Sequence, residues 1–240
     1  MGDYILITGA SSGIGRAIAK KLAEEGYSLY LHYHQNKEVI AELIEDLNTF
    51  SGEFIPVQAD LSTEDGYQIL ADQILSIDGI IHNCGISHYG LFADIEKETV
   101  QQLISIHVTS PMLLTKELLP KMLRKQKGNI IVISSIWGQI GAACEVVYSA
   151  AKGAQISFVK ALSKELALNG IRVNGVAPGA VETPMLKQFS EDEIYAIMDE
   201  IPMGRLAQSN EIAESVSFLL SKKSAYITGQ ILGVNGGWFV

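Results

Sequence analysis

A doubly wound parallel α/β sheet is predicted by three features of this 240-residue sequence. Short apolar runs alternate with amphipathic segments from end to end, the order expected of parallel strands joined by helical crossovers. The runs are apolar at most positions, as strands covered on both faces must be. The first of them feeds directly into a glycine-rich turn that opens a helix.

The expected strands are Tyr4–Thr8, Ser28–Tyr33, Glu53–Gln58, Gly79–Asn83, Asn129–Ser134, Ile171–Ala177 and Gln230–Val234. Between them, Gly15–Glu25, Lys37–Phe50, Lys97–Lys125 and Ala150–Asn169 have the apolar spacing of helices that pack one face on a sheet. No connection is rich enough in Pro, Gly or Ser to be a linker, so one domain spanning residues 1–240 is expected. The segment 183–209 breaks the alternation. It reads as turn, short acidic helix and turn, after a strand's carboxyl end, where a segment would cover the ligand crevice of such a sheet as a substrate lid.

Composition narrows the function classes. With 48% hydrophobic and 19% charged residues the chain has ample core, and a formal charge of −9 opposes a nucleic-acid partner. Two cysteines, Cys84 and Cys144, are too few for a disulfide framework or a zinc site. His32 and His34 lack further ligands, so no metal is expected. No apolar run reaches the roughly 18 residues of a membrane span, and no leader precedes Tyr4, so a cytoplasmic protein without a membrane partner is expected.

The turn Thr8-Gly9-Ala10-Ser11-Ser12-Gly13-Ile14-Gly15 lies where glycines let the backbone turn tightly and approach a pyrophosphate, with the following helix offering free N–H groups. This predicts a Rossmann-type dinucleotide site. The second strand ends His32-Tyr33-His34-Gln35-Asn36-Lys37, without the acid that usually holds the ribose hydroxyls of NAD. That end leaves room for a 2′-phosphate, with His34 and Lys37 as donors, so NADP(H) is expected over NAD(H). Tyr148 and Lys152, four apart on one helix face, are placed for an ammonium to tune a phenol.

Thr-Gly-x3-Gly-x-Gly together with Tyr148-x3-Lys152 resembles the short-chain dehydrogenase/reductase family, over essentially the whole chain. The resemblance implies cofactor contacts from Thr8, Gly9, Ser11, Ser12, Gly13, Ile14 and Gly15, then from Asp60 and Leu61 after the third strand. It further implies Asn83 and Gly85, in Asn83-Cys84-Gly85, and the turn Pro178, Gly179, Val181 and Thr183 at the nicotinamide. His82 stands where the family often has another Asn. Ser135, thirteen residues before Tyr148, completes the family's Ser-Tyr-Lys constellation. The implied chemistry is hydride transfer to a carbonyl carbon, with Tyr148 as general acid, Ser135 holding the carbonyl oxygen, and Lys152 binding the nicotinamide ribose and tuning Tyr148.

The family's fourth position, an Asn that helps order a proton-relay water, is His107 here. Among family members, 3-oxoacyl-acyl-carrier-protein reductase-like enzymes are the nearest resemblance. Gln126 and Asn169, however, stand where basic residues would meet an acidic carrier. The expected partner is thus a small carbonyl substrate, with an acyl carrier protein or acyl-CoA thioester as a further candidate. Tyr89, Trp137, Ile140, Met185 and the Met198–Met203 region are candidates for an apolar pocket. The resemblance implies a homotetramer, with the two long helices packing across a dyad and Trp238-Phe239-Val240 near another interface. The competing reading is a dinucleotide-binding regulatory or structural protein on the same fold with little turnover.

Overall fold

A computed structural model of the chain describes residues 2–11, 13–184, 186 and 189–240. Ser12 and Met185, two of the expected site residues, lie outside the described residues. Seven strands form one sheet: β1 (Tyr4–Ile7), β2 (Ser28–Tyr33), β3 (Phe54–Gln58), β4 (Gly79–His82), β5 (Gly128–Ile133), β6 (Ile171–Pro178) and β7 (Ile231–Val234). Their order is β3-β2-β1-β4-β5-β6-β7, and every pairing is parallel. Each expected strand is present, displaced by no more than a residue at either end. The order reverses between β1 and β4, which opens a crevice at their carboxyl ends.

Helices cover both faces, as parallel strands require. On one face pack α1 (Gly13–Glu24), α2 (Lys37–Leu47) and α9 (Ser209–Leu220), whose Ile18, Leu22, Leu43 and Val216 bury against Ile5, Ile7, Leu29 and Ile131. On the other lie α3 (Gly66–Asp72), α4 (Lys97–Ile104), α5 (Ser110–Lys125), the four-residue α6 (Trp137–Ile140) and α7 (Val146–Leu166), with Leu70, Leu114, Leu118 and Val159 against Leu6, Ile80 and Ile130. The segment expected as a lid carries α8 (Glu191–Glu200), opened by a capping box in which Ser190 and Glu193 satisfy each other's backbone N–H groups. Its base is pinned by a single bridge, Val181 to Ala207.

Two expected helices differ from their sequence reading. The stretch Lys97–Lys125 is not continuous, because Ser105–Thr109 forms a π turn between α4 and α5. Pro111 is the cause: it has no N–H to give to the His107 carbonyl four residues back. The Ser110 N–H bonds instead to the Ser105 carbonyl, five residues back, and Gln155 Nε2 reaches the His107 carbonyl from α7 at 2.8 Å. Helix α7 begins four residues earlier than expected, which sets Tyr148 in its first turn.

Candidate active site

The glycine turn is braced from beneath. Thr8, buried to 1% exposure, accepts hydrogen bonds at Oγ1 from the backbone N–H groups of Asn83 and Cys84, at 2.9 and 3.0 Å. The Asn83 amide donates to the carbonyls of Thr8 and Gly9 at 3.0 and 3.1 Å. Gly9 and Gly13 adopt φ of +68° and +53°, a region that favours glycine. A Cβ on Gly9 would come within 3.0 Å of the Cys84 backbone, one on Gly13 within 3.3 Å of Thr183, and one on Gly15 would strike the Gly9 carbonyl. Glycine at these three positions lets the turn close against Cys84, Thr183 and its own first carbonyl.

Buried His32 holds the same turn from the side. The Gly9 N–H donates to His32 Nδ1 at 3.0 Å, and His32 Nε2 lies 3.2 Å from the Ala59 carbonyl. These contacts fix a neutral imidazole whose Nε2 carries the hydrogen, and burial lowers its pKa to about 4. His34, at the mouth, sits 3.4 Å from the Asp60 carboxylate. Burial pushes the Asp60 carboxyl up, but hydrogen bonds from the Ser62 N–H and hydroxyl and the nearby histidines outweigh it, leaving the group below its ordinary value. Leu61 is buried, and its carbonyl accepts from the Ser110 hydroxyl at 2.7 Å, tying the end of β3 to α5.

A cavity of about 1010 Å³ runs from this turn across the carboxyl ends of the strands. Of the expected cofactor residues, Gly9, Ser11, Gly13, Ile14, His34, Asn83, Gly85, Pro178, Gly179, Val181 and Thr183 line it, along with Ser135, Tyr148, Lys152 and His107. Thr8, Gly15, Asp60 and Leu61 lie behind that wall. Lys37, at the start of α2, also stands outside the lining, whereas Tyr33, Gln35 and Asn36 contribute to it.

Strand β5 and helix α7 bring the three chemical side chains together. The Ser134 hydroxyl donates to the Lys152 carbonyl at 2.9 Å, and a Cβ on Gly138 would lie 2.7 Å from the Lys152 backbone, so strand end, α6 and α7 meet closely. Ser135 Oγ accepts from the Trp137 N–H at 3.2 Å. Lys152 Nζ, buried to 4% exposure, donates to the Ile133 carbonyl at 2.8 Å and lies 5.5 Å from the centre of the Tyr148 ring. Burial lowers the Lys152 pKa to about 7. Burial also raises the Tyr148 phenol well above its ordinary value, with the Glu145 charge adding to the rise and the Ser135 hydroxyl opposing it. Desolvation is the largest cause at both groups, and it moves the phenol and the ammonium toward their neutral forms.

His107 packs edge-on against Tyr148, ring centres 5.4 Å apart. Its Nε2 lies 2.7 Å from the Ile86 carbonyl, and a Cβ on Gly85 would strike its ring, so Gly85 is what admits it. Burial, reinforced by the Lys152 charge, lowers its pKa to about 3. Nδ1 is buried without a hydrogen-bond partner, as is Gln155 Oε1 on the neighbouring helix.

The far end of the cavity was only partly foreseen. Tyr89 and Trp137 line it as expected, whereas Ile140, Met198 and Met203 do not. Glu200 lines it from within the Met198–Met203 region, Phe189 and Glu193 line it from the segment expected as a lid, and Glu145 is the lining residue the sequence did not single out. Trp238, in the chain end expected near a subunit interface, lines this cleft, its ring centre 5.0 Å from that of Trp137, and donates from Nε1 to Glu200 at 3.2 Å. Among the described residues no helix is long and apolar enough to cross a membrane.

Comparison with known proteins agrees with this architecture. A family model described as Enoyl-(Acyl carrier protein) reductase matches residues 9–239. The chain is 55% identical over 240 residues to the "Uncharacterized oxidoreductase YmfI" of Bacillus subtilis, covering 99% of each. It is 36% identical over 241 residues to the 3-oxoacyl-[acyl-carrier-protein] reductase FabG of Vibrio cholerae, covering 100% of this chain and 98% of that one. Among solved structures, the angucycline C-6 ketoreductase LanV with bound NADP superposes with a TM-score of 0.91 at 27% identity, covering 98% of this chain and 94% of that one. A short chain dehydrogenase/reductase family protein does so with a TM-score of 0.91 at 31% identity, covering 100% and 98%.

Proposed function

Because this chain belongs to the short-chain dehydrogenase/reductase family, an oxidoreductase family, we propose that it reduces a ketone or 3-oxoacyl group to an alcohol with NADP(H). The observation that carries the reading is the convergence of Ser135, Tyr148 and Lys152 in one cleft with a glycine turn at the open end of a helix.

The residues present fit a dinucleotide. Gly9, Ser11, Gly13 and Ile14 would cradle the pyrophosphate at the open N-terminus of α1, Asp60 and Leu61 would back the adenine end from behind the wall, and Asn83, Gly85, Pro178, Gly179, Val181 and Thr183 would hold the nicotinamide end. Ser12, outside the described residues, belongs to the same turn. His34 and Lys37 serve the 2′-phosphate, consistent with the lack of an acid at the end of β2. When bound, the cofactor supplies the hydride that reduces the carbonyl carbon.

The chain's own residues handle the oxygen and the proton. Ser135 holds the carbonyl oxygen, and Tyr148 gives its proton as the alkoxide develops. A phenol that burial keeps protonated is suited to the acid role. Lys152 holds the nicotinamide ribose and, with a pKa lowered to about 7, exchanges protons readily near neutrality. His107 replaces the usual relay amide: its neutral ring steadies Tyr148 and presents Nδ1 as a buried acceptor on the relay path. The segment 183–209, carrying α8, covers the substrate end as a lid.

The carriers named for the FabG relatives make acyl carrier protein or acyl-CoA thioesters candidate substrates beside free ketones. A homotetramer is part of this reading; exposed Phe239 and Val240 remain for an interface after Trp238 is taken into the cleft.

The test is cofactor oxidation with NADPH and NADH over a panel of ketones, β-keto esters and thioesters. NADPH turnover that falls by about a thousandfold in Tyr148→Phe, with cofactor binding retained, supports the reading. Cofactor binding without turnover on any carbonyl would transfer the assignment to a regulatory protein on this fold.

A further inference from the structure

Resting on the reductase reading, we infer that the substrate end of the cleft selects carbonyl compounds that carry a positively charged ammonium group and rejects those that carry a carboxylate. Four aromatic side chains stand at that end as two edge-to-face pairs. Tyr89 meets Phe189 with ring centres 5.6 Å apart at 76°, and Trp137 meets Trp238 at 5.0 Å and 69°. Aromatic faces arranged around a space attract cations, and quaternary ammonium groups best of all.

The carboxylates strengthen this. Glu200 accepts the Trp238 indole N–H at 3.2 Å, which draws positive charge away from the indole edge and enriches its face. Glu145, the half-buried residue ahead of α7, lines the same cleft; burial raises its carboxyl and Trp137 opposes the rise. It puts a carboxyl group in the wall three residues before Tyr148. Glu193 adds another at the rim, although the Ser190 cap engages it. Among the described lining residues Lys152 is the only Lys or Arg, and it lies at the catalytic floor, hydrogen-bonded to the Ile133 carbonyl. Among the described residues at the aromatic end, a substrate carboxylate meets like charge, whereas an ammonium meets aromatic rings and carboxylates.

The test uses three methyl ketones on one alkyl chain, ending in trimethylammonium, in tert-butyl, which has the same shape without the charge, or in carboxylate. Two readouts separate this inference from the reductase reading. One is kcat/KM with NADPH. The other is fluorescence quenching on binding, which needs no turnover, because the chain's two tryptophans, Trp137 and Trp238, both line the cleft. We expect the ammonium ketone to exceed the tert-butyl ketone by about tenfold in both readouts, with the carboxylate weakest. Glu145→Gln and Glu200→Gln, the latter on an exposed face of α8, should each shrink that ratio several-fold. A ratio of one or less in the wild type, or a ratio that neither variant moves, overturns the inference. Quenching that keeps the ammonium preference without turnover of any ketone would sink the reductase reading and leave the charge selection standing.

Discussion

The two halves of the cleft are built by different means. Around the glycine turn, the surface is mostly backbone, and its first residues are held by neighbours in the sheet: His32 takes the Gly9 N–H, Asn83 gives to the Thr8 and Gly9 carbonyls, and Thr8 ties the turn to the end of β4. At the substrate end the surface is mostly side chain, supplied by Tyr89, Trp137, Glu145, Phe189, Glu200 and Trp238 from five separate stretches of chain. The first design tolerates almost no change and serves any substrate alike. The second can be altered residue by residue to change which substrate is taken while the chemistry stays fixed.

The largest effect that would sharpen this contrast is Gly9→Ala. Gly9 has φ of +68°, and an added Cβ would lie 3.0 Å from the Cys84 backbone, which β4 holds in place. The left-handed conformation and the crowding together should cost about 3 kcal/mol of stability, read as a lower urea midpoint. Cofactor affinity should fall by about a hundredfold, while the ranking of ketone substrates stays as it was. A changed ranking with unchanged cofactor affinity would break the division between the halves.

The same contrast explains what was legible in the sequence. The strands, the glycine turn and the Tyr148–Lys152 pair are local patterns: apolar runs, glycine spacing and an i,i+4 repeat fix them without knowledge of the fold. The π turn was legible in principle, since Pro111 stands four residues after His107, but the helical periodicity across it hid the missing donor. The raised phenol of Tyr148 and the lowered Lys152 depend on burial, which no spacing reveals. Trp238 shows the limit most plainly. An apolar chain end reads as an interface until the fold brings it to Glu200 and Trp137, neither of which is near it in sequence.

A smaller effect comes from acid. His32, His82 and His107 are buried to 1–3% exposure, with pKa values lowered from 6.5 to about 4, 3 and 3 by desolvation. For each, the unfolded chain binds a proton that the folded chain refuses, so the stability they contribute is intact above pH 6.5 and is lost as pH falls toward the folded values. At pH 5 the loss is set by the distance from 6.5 and amounts to about 2 kcal/mol per histidine. His82 donates to Thr115 at 2.8 Å, deep between β4 and α5 and away from the cleft, so His82→Gln should keep that contact and remove one third of the slope in urea midpoint between pH 7.5 and 5. Protonation of His32 in the folded chain removes the acceptor of the Gly9 N–H, so cofactor affinity should weaken only as pH falls toward 4, below that window, while substrate ranking does not change. An acid slope unchanged in His82→Gln would remove His82 as a contributor to it.

The smallest expected effect tests the cofactor half at its rim, where side chains rather than backbone face the ligand. His34 leans on Asp60 at 3.4 Å and lines the cavity at the end of β2, the position at which a carboxylate would bond ribose hydroxyls and repel a 2′-phosphate. His34→Asp should therefore raise the KM for NADPH by about tenfold and lower that for NADH, with kcat on either cofactor nearly unchanged. Asp60 would then face a like charge, and its carboxyl should titrate higher than in the wild type, which a pH series of cofactor binding reads directly. If NADPH binding is untouched while Lys37→Ala weakens it tenfold, the phosphate is held from the start of α2 and His34 serves only to position Asp60. In that case the rim of the cofactor half would be read by an exposed side chain outside the cavity lining, and the backbone-built part of that half would end at the glycine turn.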